Sequence, residues 1–127
     1  MTDAPMFIAA DWPAPAQVHA CVSTRNGGSS TAPWDSLNLA QHVGDDAAAV
    51  ARNRRILAAA LGLPAEPAWL EQVHGCAVVE ARRDGIVRTG DAAHTSAPGV
   101  VCAVMTADCL PVLLTDRAGA QVAAVHC

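Results

Sequence analysis

Lysine is absent from the 127-residue sequence, and all eight basic residues are arginines. Twelve acidic residues outnumber them, so the formal net charge is −4, which argues against a nucleic-acid-binding surface. The N-terminal residues form no secretory signal, and the longest uncharged stretch, 92–107, contains Pro98 and Gly99 and is no membrane span. No C-x-x-C pair occurs among the five cysteines. We therefore expect a cytoplasmic protein with reduced thiols that are available for a metal or for chemistry.

Several local signatures are also missing. The sequence has no G-x-x-x-x-G-K-[ST], G-x-G-x-x-G or G-x-S-x-G pattern. The five histidines are scattered and form no H-x-H or H-x-x-H pair. A trinuclear copper cluster needs many paired histidines, so these histidines argue against multicopper chemistry.

Hydrophobic residues make up 52% of the chain, which predicts one globular domain over residues 1–127. Asp45 or Asp46 can cap a helix that ends at Gly62 and Pro64, with an apolar stripe between these limits. Outside the helix, short runs of strand-forming residues occur between turn-rich segments. They predict strands at Phe7–Ala10, Val18–Ser23, Ala68–Gln72, Ala77–Ala81, Val100–Met105, Pro111–Thr115 and Gln121–His126. The pattern indicates an α+β fold with a mainly antiparallel or mixed sheet. The residues "DRAG" at 116–119 predict a hairpin turn between the last two strands.

The end of the sequence is unusual because "QVAAVHC" at 121–127 is a core-like strand with nothing after it. Domains rarely stop in the middle of a strand with an apolar edge uncovered. We therefore expect a truncated chain, and we expect its C-terminal strand to promote self-association.

Three potential metal ligands stand at or near strand ends. His74 lies in "EQVHG", Cys109 in "TADCLP" and His126 in "AAVH". Two imidazoles and one thiolate suit a catalytic zinc site with three protein ligands and one open position. Asp108 could orient a ligating histidine. Spacings of 35 and 17 residues form no local zinc signature, so each residue considered alone is more simply explained as structural.

A long polar loop, "STRNGGSSTAPWDSLNLAQHVGDD", precedes the helix and has the length of a functional loop. Arg25 precedes its adjacent glycines, and a guanidinium group fits phosphate or carboxylate with two hydrogen bonds. A solvated loop arginine is the simpler alternative. We interpret His42, His94 and Cys21 as structural or surface residues, and Cys76 and Cys102 as strand packing.

Six stretches taken in order resemble one family. They are "STRNGG", "SLNLAQHVGDD" followed by "NRR", "WLEQVHG", "GDAAHTSAPG", "MTADCLPVLLTD" and "VAAVH". The sequence is similar to the N-terminal half of the family known variously as laccase-domain protein, polyphenol oxidase and purine nucleoside phosphorylase. In that family the last histidine is usually followed by Ala-Gly-Trp-Arg-Gly and a second half of the domain, whereas Cys127 stands here in place of the alanine.

The resemblance implies a layered α/β/β/α-type fold and a metal site of His74, Cys109 and His126. It also implies that Arg25 and Asn38 bind substrate or phosphate. The implied activity is zinc-dependent phosphorolysis of adenosine, inosine and methylthioadenosine, with adenosine deamination as a companion. Small-molecule nucleosides and phosphate would then be the partners, without nucleic acid or membrane.

Three alternatives stay open. One is a non-catalytic metal-binding fragment that needs the missing half. Another is a copper-dependent polyphenol oxidase, because a His₂Cys set near a soft ligand such as Met105 also resembles a blue-copper site. A third is a thiol enzyme in which His74 activates Cys109 as a nucleophile.

Overall fold

The structure is a computed structural model that describes residues 5–127. Within that range it has one helix and eight short strands, which confirms the α+β prediction. The helix α1 spans Ala47–Leu61, and the strands are β1 (Phe7–Ala9), β2 (Cys21–Ser23), β3 (Leu70–Glu71), β4 (Val78–Glu80), β5 (Arg88–Thr89), β6 (Ala92–Thr95), β7 (Pro111–Thr115) and β8 (Val122–His126). No helix among the described residues is both long and apolar enough to cross a bilayer.

The chain forms two compact units. The first contains the residues up to Asp11 and Ala20–Gly62, and the second contains Trp12–His19 and Leu63–Cys127. The description of residues 1–127 as one domain stays a prediction.

The helix of the first unit begins and ends where its capping residues predict. The side chain of Asp46 accepts a hydrogen bond from the backbone N–H of Ala48, and this satisfies one of the unpaired donors of the first turn. Gly62 ends the helix in the left-handed conformation (φ 62°), and its N–H donates to carbonyls of the last turn. Strands β1 and β2 pair antiparallel in the same unit.

A buried polar residue organises the long loop that precedes α1. Asn53 is fully buried on the helix, and its side-chain oxygen accepts hydrogen bonds from the backbone N–H of Ser29 (2.7 Å) and from the Ser29 hydroxyl (3.0 Å). Its amide nitrogen donates to Ser30 Oγ (2.8 Å) and to the backbone carbonyl of Asn38 (2.9 Å). One helical side chain therefore holds two distant parts of the loop, since residues 29–30 and residue 38 all depend on it.

The second unit contains a four-stranded mixed sheet with the order β4-β6-β8-β7. Strand β6 is parallel to β4 and antiparallel to β8, while β7 and β8 form an antiparallel hairpin. Strand β8 is paired on both sides, so the prediction that the C-terminal strand is an uncovered edge is wrong. The "DRAG" turn is confirmed: Gly119 has a φ of 70°, and Asp116 accepts hydrogen bonds from the backbone N–H groups of Ala120 and Gln121.

Two strand predictions in this unit need correction. Residues 100–105 were expected to form a strand, but they make only an isolated parallel bridge, between Ala68 and Cys102. This segment is held instead by the Gln72 side chain, which donates to the Met105 carbonyl (2.7 Å) and accepts from the Met105 N–H (2.6 Å). Val100, Cys102 and Val104 pack against a small buried cluster of Leu70, Ala81 and Ala93, so the apolar run builds core without joining a ladder.

The second correction concerns β5 and β6, because the sequence analysis predicts neither strand. Strand β6 begins with two alanines, a residue of low strand propensity, yet it lies between β4 and β8. Ala93 is fully buried there. Ala93 forms the buried cluster with Leu70 and Ala81, where a small side chain fits the packed interior.

Candidate metal centre

The structure brings the three predicted ligands together. The candidate ligand atoms of His74, Cys109 and His126 all lie within 4.8 Å of one another. His74 follows β3, Cys109 precedes β7, and His126 ends β8. This is the only such group of three or more histidine, cysteine or acidic side chains that residues 5–127 form.

The register of the β7–β8 hairpin explains how two of these residues meet. Pro111 lies opposite His126, and the next pair, Leu110 and Cys127, exchanges two backbone hydrogen bonds of 3.0 and 2.9 Å. Cys109 lies in the bend directly before this pair, at the same end of the hairpin as His126, and its thiol approaches the His126 ring there. The residues "ADCLP" thus deliver a thiol to the end of the hairpin.

A buried carboxylate joins the third ligand to the hairpin. Asp91 directly precedes β6 and is 2% exposed. Its carboxylate oxygens accept hydrogen bonds from the backbone N–H groups of Val73 (3.0 Å), His74 (3.0 Å) and Gly75 (2.9 Å). Its Oδ2 also lies 2.8 Å from Nδ1 of His126. The backbone N–H of His126 donates to the Asp91 carbonyl (2.8 Å), so both the side chain and the main chain connect these two residues.

His74 has an unusual backbone conformation. Its φ is 58°, and among residues 5–127 it is the one non-glycine residue with a positive φ. Such a conformation costs free energy and persists only where the surroundings enforce it. The three consecutive N–H groups bound by Asp91 provide that enforcement.

The electrostatics of the site favour an ionised acceptor beside His126. Hydrogen bonds from the backbone N–H of Gly75 and from His126 hold the pKa of the Asp91 carboxyl well below its usual range. The imidazole rings of His74 and His126 meet edge to face, with centroids 4.9 Å apart. His74 is exposed, whereas the side chain of His126 is 5% exposed, so the cluster is open to solvent on one side.

This donor set fits a catalytic zinc site. Two imidazoles and a thiolate are ligands that zinc prefers, and the exposed side provides room for a fourth, exchangeable ligand. A metal-bound histidine usually donates a hydrogen bond from its other ring nitrogen to an acceptor, and Asp91 is that acceptor for His126. A His₂Cys set also fits copper, so the donors alone do not choose between the two metals.

The other predicted residues have different surroundings. Asp108 was expected to orient a ligating histidine, but that position belongs to Asp91, and Asp108 is exposed. Burial raises the pKa of the Cys102 thiol to about 11, so Cys102 stays protonated within the core cluster.

Arg25 and Asn38 both lie in the loop of the first unit. Arg25 donates from Nε to the Asp35 carbonyl (2.7 Å), and its side chain remains 68% exposed. Asn38 donates to the Ala40 carbonyl and to Asp45, and it accepts from the Ala40 N–H. Both side chains therefore stabilise their own loop, and their roles toward substrate stay predictions.

Comparison with known proteins now decides the family. The model of the family described as multi-copper polyphenol oxidoreductase laccase matches residues 19–127. The chain belongs to this family. It is 55% identical to purine nucleoside phosphorylase PA4543 of Pseudomonas aeruginosa over 120 residues, which cover 94% of this chain and 48% of that protein. It is 52% identical to purine nucleoside phosphorylase YfiH of Escherichia coli over 121 residues, covering 94% of this chain and 50% of the relative.

Solved structures of the family share the fold. The crystal structure of Neisseria meningitidis protein NMB0706 matches with a TM-score of 0.89 and 51% identity, over 96% of this chain and 50% of that one. YlmD from Geobacillus stearothermophilus matches with a TM-score of 0.88 and 31% identity, over 99% of this chain and 51% of that one. The chain thus spans about half the length of the relatives that it matches.

Asp91 is the site residue that sequence analysis did not identify. A weak signal was available, because Asp91 stands between a glycine and the two small residues that begin β6. A charged residue beside a buried small-residue strand needs partners, and backbone N–H groups of a neighbouring turn are suitable ones.

Proposed function

We propose that the protein is a zinc-dependent purine nucleoside phosphorylase of adenosine, inosine and methylthioadenosine, with adenosine deamination as a companion activity. The observation that carries the proposal is the approach of His74, Cys109 and His126 to within 4.8 Å of one another on an open face. The names of the relatives, purine nucleoside phosphorylase in each case, support the same reaction class.

In this proposal His74, Cys109 and His126 hold the metal, and zinc in such a site supplies Lewis-acid chemistry. In phosphorolysis a phosphate oxygen attacks C1′ of the ribose, the N-glycosidic bond breaks, and the purine leaves. Arg25 and Asn38 bind the substrate or phosphate, Arg25 through its exposed guanidinium. Asp91 accepts a hydrogen bond from the Nδ1–H of His126, which leaves the other ring nitrogen of His126 available for the metal.

Copper-dependent polyphenol oxidation is the second candidate, favoured by the His₂Cys donor set and by the family description. Multicopper oxidation needs several metal sites, and residues 5–127 provide one cluster of this kind. A mononuclear zinc centre therefore explains these residues with fewer assumptions. The thiol-enzyme alternative, with Cys109 as nucleophile, uses the same residues without a metal.

Metal analysis combined with nucleoside assays tests the proposal. The protein is compared with His74→Ala and Cys109→Ala, and His42→Ala serves as the control because His42 is an exposed loop histidine. We expect one zinc per chain in the protein and in the control. Loss of a hydrogen-bond partner behind a ligand costs roughly 10–100-fold in zinc affinity, and each ligand variant should lose more than this because a whole ligand disappears.

The outcomes separate the alternatives. Zinc with phosphorolysis supports the proposal, and zinc without turnover supports a non-catalytic metal-binding unit. Turnover in metal-free protein that is lost on alkylation of Cys109 supports the thiol enzyme. Full zinc occupancy in both ligand variants contradicts the ligand assignment.

A further inference from the structure

Asp91 uses both carboxylate oxygens and is nearly completely buried. Oδ1 accepts from the backbone N–H groups of Val73 and Gly75, and Oδ2 accepts from the N–H of His74 and faces Nδ1 of His126. All four partners belong to, or directly flank, two of the three candidate ligands. No other role for this carboxylate is needed to explain its burial.

The contact with His126 selects a tautomer. An ionised carboxylate can only accept hydrogen bonds, so at 2.8 Å the proton between the two groups must belong to Nδ1. In a neutral imidazole the second nitrogen, Nε2, then carries a lone pair. A metal can bind only that unprotonated nitrogen, so the contact prepares His126 as a ligand.

The contacts with the turn act on His74. Three consecutive N–H groups converge on one carboxylate, and the middle one belongs to the residue with φ 58°. This conformation is disfavoured for a residue with a side chain. Asp91 offsets that cost, because its hydrogen bonds are available only when the turn closes around it.

We propose that Asp91 is the positioning residue of the metal site: one carboxylate fixes the Nδ1–H tautomer of His126 and holds the turn that presents His74. The proposal rests on the ligand set of the proposed function and not on its reaction. The placement of two of the three candidate ligands then depends on Asp91, so a single substitution of Asp91 should disturb both.

Asp91→Asn is the sharpest perturbation because it preserves size and changes one acceptor into a donor. If the Asn oxygen takes the place of Oδ1, it still accepts from Val73 and Gly75, and only the His74 N–H faces the Asn NH₂ group. In the flipped orientation the NH₂ group faces the N–H groups of both Val73 and Gly75. The first orientation is therefore preferred. The Asn NH₂ group then donates to Nδ1 of His126, and the ring proton moves to Nε2, where a metal would bind.

The experiment uses the 127-residue chain without metal, labelled with ¹⁵N-histidine, at about pH 9, where an ordinary imidazole is neutral. The His126 resonances are assigned by their absence in His126→Gln. We expect the Nδ1–H tautomer in the unsubstituted protein and the Nε2–H tautomer in Asp91→Asn. A competition titration of zinc against a chelator should show a loss of affinity of about 10–100-fold in Asp91→Asn.

Asp116→Asn is the matched control. Asp116 also accepts backbone N–H groups in a turn, through one oxygen that asparagine retains, and it lies at the opposite end of the β7–β8 hairpin from His126. We expect its zinc affinity and the His126 tautomer to be unchanged.

An Nε2–H tautomer of His126 in the unsubstituted protein would overturn the proposal, and this measurement needs no variant to fold. Unchanged zinc affinity in folded Asp91→Asn would overturn it as well. The Nδ1–H tautomer in a protein that binds no zinc would instead support the orientation of His126 and contradict the ligand set of the proposed function.

Discussion

The buried amide of Asn53 offers a quantitative test of how the long loop is held. Replacing Asn53 by alanine leaves four partners without their hydrogen bonds: the Ser29 N–H and hydroxyl, the Ser30 hydroxyl and the Asn38 carbonyl. The Ser29 hydroxyl can donate to the Ala49 carbonyl instead, and the Ser30 hydroxyl keeps its hydrogen bond to the Asp45 carboxylate. The two backbone groups cannot turn to new partners, so they determine the free-energy cost.

The magnitude follows from those two groups. Neither Ser29 nor Asn38 is fully buried, so each lost hydrogen bond costs about 0.5–1.5 kcal/mol, and alanine recovers roughly 0.5 kcal/mol through its better helix propensity. The free energy of unfolding should therefore fall by about 0.5–2.5 kcal/mol. With an m-value of about 2 kcal/mol per M, the urea midpoint should fall by roughly 0.3–1.3 M. Circular dichroism during urea titration measures this shift.

Two further variants make the Asn53 test specific. Arg55→Ala changes an exposed position on the same helix and should change stability by no more than about 0.5 kcal/mol. Asn53→Asp keeps the acceptor for Ser29 but places a carboxylate oxygen against the Asn38 carbonyl, so it should also destabilise. An unchanged midpoint in Asn53→Ala would refute the role assigned to the buried amide.

Three other predictions address binding, pH and association. Arg25→Lys should raise the apparent KM for phosphate at normal zinc content, because lysine keeps the charge and loses the bidentate fork; an unchanged phosphate dependence would return Arg25 to a loop-stabilising role. The Arg88 guanidinium lowers the pKa of Asp84 from 3.8 to about 2. The ion pair therefore stabilises the fold fully above pH 3.8, and its contribution declines as the pH falls toward 2. The difference in the free energy of unfolding between Asp84→Asn and the unsubstituted protein should shrink over that window. A difference that widens in acid would contradict the assignment. Light scattering over a concentration series should show self-association of the chain. The reason is that β7 pairs on one side only in the described sheet and carries the half-exposed Leu114. A monodisperse monomer would contradict this prediction.

Secondary structure could be predicted where local chemistry determines it. The bounds of α1 follow from Asp46 and Gly62, because each satisfies backbone groups at a helix end. The β7–β8 hairpin follows from its turn residues. Residues 100–105 could not be assigned in this way: an apolar run predicts burial, but its backbone partners are distant, Ala68 at one isolated bridge and the Gln72 side chain, which lies 33 residues from Met105.

The same distinction between local and long-range contacts applies to the residues of the candidate site. The three ligands could be proposed because each stands near a strand end, where a sheet gathers side chains from distant parts of a chain. Asp108 is the neighbour of Cys109 in sequence, which makes it the local candidate for the orienting acid. Residues 107–109 form a bend before β7, however, and Asp108 is exposed there, so it is Asp91 that contacts both histidines.

The acid that contacts them comes from the start of the neighbouring strand instead. Antiparallel pairing of β6 with β8 brings Asp91 beside His126, while the parallel pair β3–β5 leads the chain from Leu70–Glu71 to the turn at His74. Two sheets thus meet at one carboxylate, and only the pairing of the strands shows it. Substitutions that alter the register of β6 should therefore impair metal binding at the proposed site even where they touch none of the three candidate ligands.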